Sequence, residues 1–195
     1  MMKTLLLILI SSSIVNNVVL SQFLGICPFF GVSKKVNTAA GMGGAVIFVV
    51  TIASFVTSII HEFILKPMNL DYMNTIVFIL VIAALVQFIE MFLKKNVQSL
   101  YKALGIYLPL ITTNCCVLGA ALNIVKYDYN ILTGTIYGFG TAVGFAIAIV
   151  IMAGIREKIE FNNVPKAFQG SAIVVVTAGL MAIAFMGFSG MISGV

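Results

Sequence analysis

The few charged residues of this chain divide it into six long uncharged stretches. Lys, Arg, Asp and Glu make up 9% of the 195 residues, whereas 61% are hydrophobic. A soluble domain is about 45–50% apolar and about 25% charged, so this composition excludes a soluble globular protein. A membrane-spanning helix needs about 20 mainly apolar residues, and we therefore predict an all-α integral membrane protein with six transmembrane helices. The six stretches are Thr4–Ser33, Val36–Ile60, Tyr72–Ile89, Ala103–Val125, Tyr129–Ile155 and Ala167–Val195.

The basic residues are distributed unevenly between the polar segments that connect these stretches. The first, third and fifth connections hold eight Lys and Arg residues, and the termini and the other connections hold three. Cytoplasmic loops of membrane proteins carry the excess of Lys and Arg. We therefore expect the odd-numbered loops in the cytoplasm and both termini outside it. The net charge of +5 is spread thinly along the chain, which is not typical of a protein that binds nucleic acid.

Short motifs recur at a separation of 97 residues. The sequence GMGGAV begins at Gly41, and GFGTAV begins at Gly138. The same offset carries Asn17 onto Asn114. Because 97 is close to half of the chain length, the pattern favours an internal repeat. Short matches also arise by chance in an apolar chain, so a common origin of the two halves is a hypothesis.

The repeat divides a single membrane domain, 1–195, into halves of approximately 1–97 and 98–195. Each half would contain three spans, and three is an odd number, so the second half must enter the membrane from the opposite side. The two halves are then inverted repeats related by a pseudo-two-fold axis in the membrane plane. Proteins of this architecture often have their functional site near the midplane, on interrupted helices.

The first and fourth stretches contain residues that do not belong in lipid. Asn17 and Asn114 lie in mid-span at corresponding positions of the repeat. As a continuous helix Thr4–Ser33 would be about 45 Å long, whereas the hydrocarbon core is about 30 Å thick. We therefore expect helices 1 and 4 to be interrupted, with the two asparagines either bonding between helices or supporting backbone groups freed at the breaks. Helix-breaking residues accompany them, namely Gly25, Pro28, Gly105, Pro109 and Gly119.

All three cysteines, Cys27, Cys115 and Cys116, lie on these two irregular stretches. A cysteine is commonly a small buried apolar residue. Thiolates are also soft ligands that suit iron–sulfur clusters, although a cluster held by cysteines alone needs four of them. Neighbouring cysteines cannot easily face one cluster, so the chain offers about two ligands and a partner would have to supply the others. No nucleophile–base pair or nucleotide fingerprint is present in the sequence, and we predict no catalytic residues on this chain.

Five distinctive segments are distributed along the chain, and they read VNNVVLSQFLGICPFFGVSKK, LGIYLPLITTNCCVLGAAL, YGFGTAVGF, AGIREK and AGLMAIAFMGFSG. These segments resemble the A subunits of Rnf complexes. That family also includes the E subunits of sodium-translocating NADH:quinone reductases. Pro28 follows Cys27 directly, and in this the chain is similar to the Rnf proteins. The quinone-reductase subunits tend to have Thr at this position.

The resemblance implies a membrane subunit of an ion-translocating ferredoxin:NAD oxidoreductase, a complex that couples electron transfer to the movement of Na+ or H+. It implies pairing with a homologous E-type subunit of opposite topology, and a [2Fe-2S] cluster within the membrane with two thiolates from each subunit. The iron ligands implied for this chain are Cys27 and Cys115, and Asn17 and Asn114 are the expected supports of the broken helices. Cys116 stands where the family usually has Ala, which leaves the choice between Cys115 and Cys116 open.

The resemblance also implies a location and further partners. The location is the bacterial cytoplasmic (inner) membrane, and the partners are the B, C, D and G subunits of the Rnf complex. Two alternatives stay open on the sequence. One is the E subunit of a sodium-translocating NADH:quinone reductase, and the other is a small inverted-repeat secondary transporter, which would contain no iron.

Overall fold

A computed structural model describes residues 2–66, 73–96, 110, 114–162, 165 and 169–192. Within these ranges all regular secondary structure is helical, which confirms the predicted all-α class for this part of the chain. The α-helices are α1 (Met2–Ile10), α2 (Ile26–Val32), α3 (Val36–Ile60), α4 (Asn74–Asn96), α5 (Cys115–Lys126), α6 (Ile131–Glu160) and α7 (Ser171–Ile192). Two π-helical turns extend α1 and α3, and they are π1 (Ser11–Val15) and π2 (His61–Leu65).

Helices lie in all six uncharged stretches, but they differ in length. Two segments of the described ranges, Val36–Phe63 and Ile131–Glu160, are long and apolar enough by themselves to cross a membrane. Six crossings therefore stay a prediction, as does the division into two repeats, whose boundary at 97–98 lies outside the described residues. The shorter apolar segments are Leu5–Val15, Asn74–Phe88, Cys115–Lys126 and Ser171–Gly187.

The first uncharged stretch is not one continuous helix. α1 passes into π1, residues 16–25 are not helical, and the chain becomes helical again in α2. The backbone φ angle is positive at Phe23 (+56°) and at Gly25 (+84°), a conformation that is unfavourable for a bulky L residue. The interruption that the sequence predicts for helix 1 is therefore present.

The interruption predicted for helix 4 is described only at one side. α5 begins at Cys115, and Asn114 before it is extended, with φ −73° and ψ 113°. Gly105 and Pro109, two of the expected helix breakers, lie outside the described residues. The structure thus describes where α5 begins, and the interruption of helix 4 before it stays a prediction.

The two longest helices, α3 and α6, pack against each other in antiparallel orientation at the centre of the structure. Gly43 of α3 faces Ala146 of α6, and Gly138 of α6 faces Ser54 farther along α3. Glycine lets two helix backbones approach closely, which is the common use of small residues in membrane helices. Gly43 of the GMGG motif and Gly138 of the GFG motif therefore serve helix packing, whereas a Cβ atom at Gly41 or Gly44 would meet no atom within 4 Å.

The remaining helices surround this central pair. α6 contacts α1 and π1, α3 contacts α4 and α5, and α7 packs against π1. The interior contains large buried side chains such as Phe29, Phe78 and Phe145. Large apolar side chains also face outward, for example Phe88 (70% exposed) and Leu132 (69% exposed). An outer surface with so many large apolar side chains is typical of a protein that contacts lipid or other membrane proteins.

Gly144 of α6 provides a test of this packing, because it lies directly against π1. A Cβ atom at Gly144 would collide with the carbonyl oxygen of Ser13. We expect Gly144→Ala to lower the free energy of unfolding by about 1–3 kcal/mol, since α6 and π1 would have to separate. The apparent melting temperature of the purified chain in detergent measures this effect.

Gly154 of α6 is the matched control, because a Cβ atom there meets no heavy atom within 4 Å. Gly154→Ala should leave the melting temperature unchanged or raise it slightly, since alanine favours the helix. Equal melting temperatures for the two variants would contradict the packing of π1 on α6.

Candidate functional site

The non-helical segment 16–25 packs against α5. The backbone N–H of Gly25 donates a hydrogen bond to Sγ of Cys115, at 3.1 Å. Next to this bond, Gly119 of α5 lies against the side chain of Leu24. The break in helix 1 and the first turns of α5 are therefore in direct contact. We call this contact between segment 16–25 and α5 the crossing.

Gly25 is required at this point for two physical reasons. Its φ of +84° is accessible to glycine at no steric cost. A Cβ atom would also lie 3.0 Å from the Phe145 ring, 3.2 Å from Cβ of Cys116 and 3.3 Å from Oδ1 of Asn114. Any other residue would strain the backbone and press against these neighbours.

Asn17 holds the non-helical segment with both ends of its amide. Its Nδ2 group donates to the carbonyl oxygens of Gly144, at 2.8 Å, and Ser13, at 3.2 Å. Its Oδ1 atom accepts from the backbone N–H groups of Val19, at 3.1 Å, and Leu20, at 3.5 Å. The residue is 1% exposed. Asn17 thus satisfies backbone groups where the helix breaks and also joins the break to α6.

Asn114 caps the N-terminus of α5. Its Oδ1 atom accepts from the backbone N–H of Cys116, at 3.0 Å, which is the usual bond of an N-cap side chain. Its Nδ2 atom is buried and has no hydrogen-bond partner among the residues that the structure describes. A buried amide donor without a partner is rare in native proteins and calls for an explanation.

The three cysteines differ in how accessible their thiols are. All three are unpaired. Cys27 lies in the first turn of α2, two residues after Gly25, and is exposed, whereas Cys115 begins α5 and is half-buried. Cys116 is fully buried, and it packs within the hydrophobic core. The structure thus leaves Cys27 and Cys115 accessible near the crossing and encloses Cys116.

This donor set fits half of an iron–sulfur site. Iron–sulfur clusters take thiolate ligands, and hydrogen bonds to their sulfur atoms are part of the site. Cys27 and Cys115 provide two accessible thiols, Gly25 provides a backbone donor to the Cys115 sulfur, and the Nδ2 donor of Asn114 has no partner among the described residues. Within the described ranges no group of three or more His, Cys, Asp and Glu residues is placed to hold a metal ion.

The connection that carries α2 into α3 is tied to the end of α6. Nη1 of Arg156 donates to the carbonyl oxygen of Phe30 and to Oγ of Ser33, both at 2.9 Å. Oε1 of Glu157 accepts from the backbone N–H of Val36, at 3.0 Å. These bonds fix the position of the short helix that carries Cys27.

Some of these contacts have no signal in the sequence. Gly25 is predictable as a helix breaker, but its role as a donor to Cys115 is not, because the two residues are 90 positions apart. A second bond at the crossing joins Nδ2 of Asn123 to Oε1 of Gln22, at 3.0 Å. Only the polarity of these two side chains within apolar stretches could have pointed to that bond.

The chain matches a known family over almost its whole length. The family model for Rnf-Nqr subunits, described as membrane proteins, matches residues 5–192. The A subunit of the Na(+)-translocating ferredoxin:NAD(+) oxidoreductase complex of Acetobacterium woodii is 59% identical over 188 residues, which are 96% of this chain and 98% of that protein. The A subunit of the ion-translocating oxidoreductase complex of Syntrophotalea carbinolica is 53% identical over 193 residues, 99% of this chain and 100% of that protein. The corresponding protein of Vibrio cholerae is 50% identical over 191 residues, 98% of this chain and 99% of that protein. The chain belongs to the Rnf-Nqr family of membrane proteins.

Proposed function

We propose that this chain is a membrane subunit of an ion-translocating ferredoxin:NAD oxidoreductase and that it provides half of an intramembrane [2Fe-2S] site. The observation that carries the proposal is the crossing at which Cys27 and Cys115 stay accessible beside a backbone donor. When bound, the cluster supplies one-electron chemistry within the bilayer. The names of the relatives, which are A subunits of ion-translocating oxidoreductase complexes, support this assignment over an E subunit of a quinone reductase.

Burial favours Cys115 over its neighbour as the second ligand. Cys116 is 0% exposed and lies among apolar core residues, so a cluster could reach its sulfur only if the core opened. Cys115 is half-buried, and its Sγ already accepts a hydrogen bond from Gly25. We therefore assign iron ligation to Cys27 and Cys115 and a packing role to Cys116.

In this proposal the helix breaks form the site within the membrane. Non-helical backbone is tolerated at that depth only where protein satisfies its polar groups. Asn17 does so with four hydrogen bonds, and Asn114 caps the helix that begins at Cys115. In this proposal the two asparagines support the site without touching the iron.

The contacts between helices support the inverted-repeat architecture. If spans 1, 2 and 3 correspond to spans 4, 5 and 6, each contact between the halves should have a reciprocal contact. α6 packs on α1 and α3 packs on α5, and likewise α7 packs on π1 and α4 packs on α5. The antiparallel packing of α3 on α6 is the contact expected across the pseudo-two-fold axis. We propose two inverted repeats, approximately 1–97 and 98–195.

A homologous membrane protein of opposite topology is the proposed partner. This chain provides two accessible thiols, and an all-cysteine cluster needs four ligands. Cys27 is exposed on this chain, so a second protein has access to it. The B, C, D and G subunits of the Rnf complex complete the proposed assembly. The coupling ion is Na+ or H+, and the name of the Acetobacterium relative favours Na+.

The function is tested in inverted membrane vesicles from a strain that lacks this chain. We expect the vesicles to lose both ferredoxin-dependent NAD reduction and the ion uptake that depends on it. Complementation with the wild-type chain should restore both activities. If NAD reduction continued without the chain and ion uptake alone were lost, the chain would be a transporter and the redox function would be wrong.

The topology is tested with reporter enzymes. We propose that both termini lie outside the cytoplasm, because eight of eleven basic residues lie in the odd-numbered connections. A reporter fused after Val195 should be active outside the cytoplasm, and a reporter inserted near Gln98 should be active inside it. The reversed pattern would overturn the proposed orientation.

A further inference from the structure

We propose that the Gly25 N–H and the Asn114 amide raise the reduction potential of the site by donating hydrogen bonds to its sulfur atoms. This inference rests on the proposed iron–sulfur function, because it concerns the donors that surround the cysteine sulfur. Reduction adds negative charge to a cluster, and hydrogen bonds to its sulfur atoms are one of the means by which a protein sets the potential. Gly25 and Asn114 act in this proposal through the sulfur atoms and bind no iron themselves.

The donor at Gly25 is already directed at a ligand sulfur. Its backbone nitrogen lies 3.1 Å from Sγ of Cys115, which is short for a hydrogen bond to sulfur. The positive φ of Gly25 and the contacts around it fix the direction of this N–H. The bond therefore needs no rearrangement when the charge on the sulfur increases.

The amide of Asn114 is a second donor at the same place. The residue is 4% exposed, and its Nδ2 atom has no partner among the described residues. The other end of the amide is fixed, since Oδ1 accepts from the Cys116 N–H and lies 3.3 Å from the point where a Gly25 Cβ would be. An unpaired buried donor is unfavourable because it has lost its hydrogen bonds to water and gained none in return. A sulfur atom of a bound cluster that accepted from Nδ2 would remove that cost.

Asn114→Ser separates the two roles of this residue. Serine is as good an N-cap as asparagine, so α5 keeps its cap, whereas the amide donor is removed. We expect the midpoint potential of the cluster, measured by redox titration with EPR detection on the intact complex, to fall. At a fixed potential the ratio of reduced to oxidised cluster should be about tenfold lower than in the wild type. This corresponds to a fall of about 59 mV in the midpoint potential of a one-electron couple.

Asn130→Ser is the matched control. Asn130 precedes α6 as Asn114 precedes α5, but its side chain makes no cap hydrogen bond and is exposed. The potential of this variant should equal that of the wild type.

A second measurement covers the case in which Asn114→Ser does not assemble. ENDOR spectra are recorded on the reduced wild-type complex, which carries 15N-labelled asparagine and has been exchanged into deuterated water. These spectra should show a 15N nucleus close to the cluster. A cluster that keeps its potential in Asn114→Ser, or spectra without the 15N coupling, would overturn the inference while leaving the proposed function intact. A wild-type complex with no cluster signal from this chain would instead overturn the proposed function.

Discussion

Replacing Cys27 or Cys115 with serine should abolish the intramembrane cluster and the coupled ion transport of the complex. Serine offers a harder oxygen ligand that suits iron poorly, but it is close to cysteine in size, so the membrane fold should survive. We expect the EPR signal of this cluster to disappear and ion uptake to fall to the level of vesicles that lack the chain. The electrophoretic mobility and subunit stoichiometry of the purified complex should equal those of the wild type. This result would show that the variant chain assembles and that only the cluster is lost.

Cys116→Ala is the matched control for these two variants. Because Cys116 is fully buried and packs in the core, its loss should cost about 1 kcal/mol of stability and leave both the cluster and the transport activity in place. If Cys116→Ala removed the cluster and Cys115→Ser did not, the ligand assignment would be wrong by one residue. If none of the three changes affected iron, the cysteines would be packing residues and the redox function would be wrong.

This chain expressed alone should contain no stable cluster. It offers two accessible thiols, and an all-cysteine cluster needs four. Co-expression with the homologous partner should restore the visible absorbance of an iron–sulfur protein, and co-expression with a partner that lacks its own two cysteines should not. Iron and acid-labile sulfide analysis measures the outcome. A stoichiometric cluster in the isolated chain would show that a homodimer suffices.

The architecture was largely predictable because its causes are local in the sequence. The uncharged stretches locate the helices, and α3 begins at Val36, directly after the Lys34–Lys35 pair that ends the first stretch. The surplus length of Thr4–Ser33 and its mid-span Asn17 correctly indicated the break in helix 1. The repeated motifs at Gly41 and Gly138 did not predict the α3–α6 contact, because the glycine that packs on α6 is Gly43, and a Cβ atom at Gly41 would meet no atom within 4 Å.

The finer features of the site depend on contacts between distant residues. Nothing in the local sequence distinguishes Cys115 from Cys116, and only the direction of the first turn of α5 leaves one accessible and buries the other. The Gly25 N–H reaches Cys115 from a turn in which Phe23 and Gly25 both have positive φ angles. For glycine such an angle is unremarkable, but for Phe23 no sequence pattern predicts it. The bonds of Arg156 to the α2–α3 connection likewise join residues more than 120 positions apart.

The iron and acid-labile sulfide content of this chain, copurified with its homologous partner, tests the shared cluster most directly. We predict about two iron atoms and about two sulfides per pair, as a single [2Fe-2S] cluster requires. In the pair that carries Cys115→Ser both values should fall to the background of the isolated chain, and in the pair that carries Cys116→Ala they should stay at the wild-type level. A wild-type pair that purifies intact without iron, or a pair whose iron is unchanged by Cys27→Ser and Cys115→Ser, would contradict the claim that this chain provides half of the cluster.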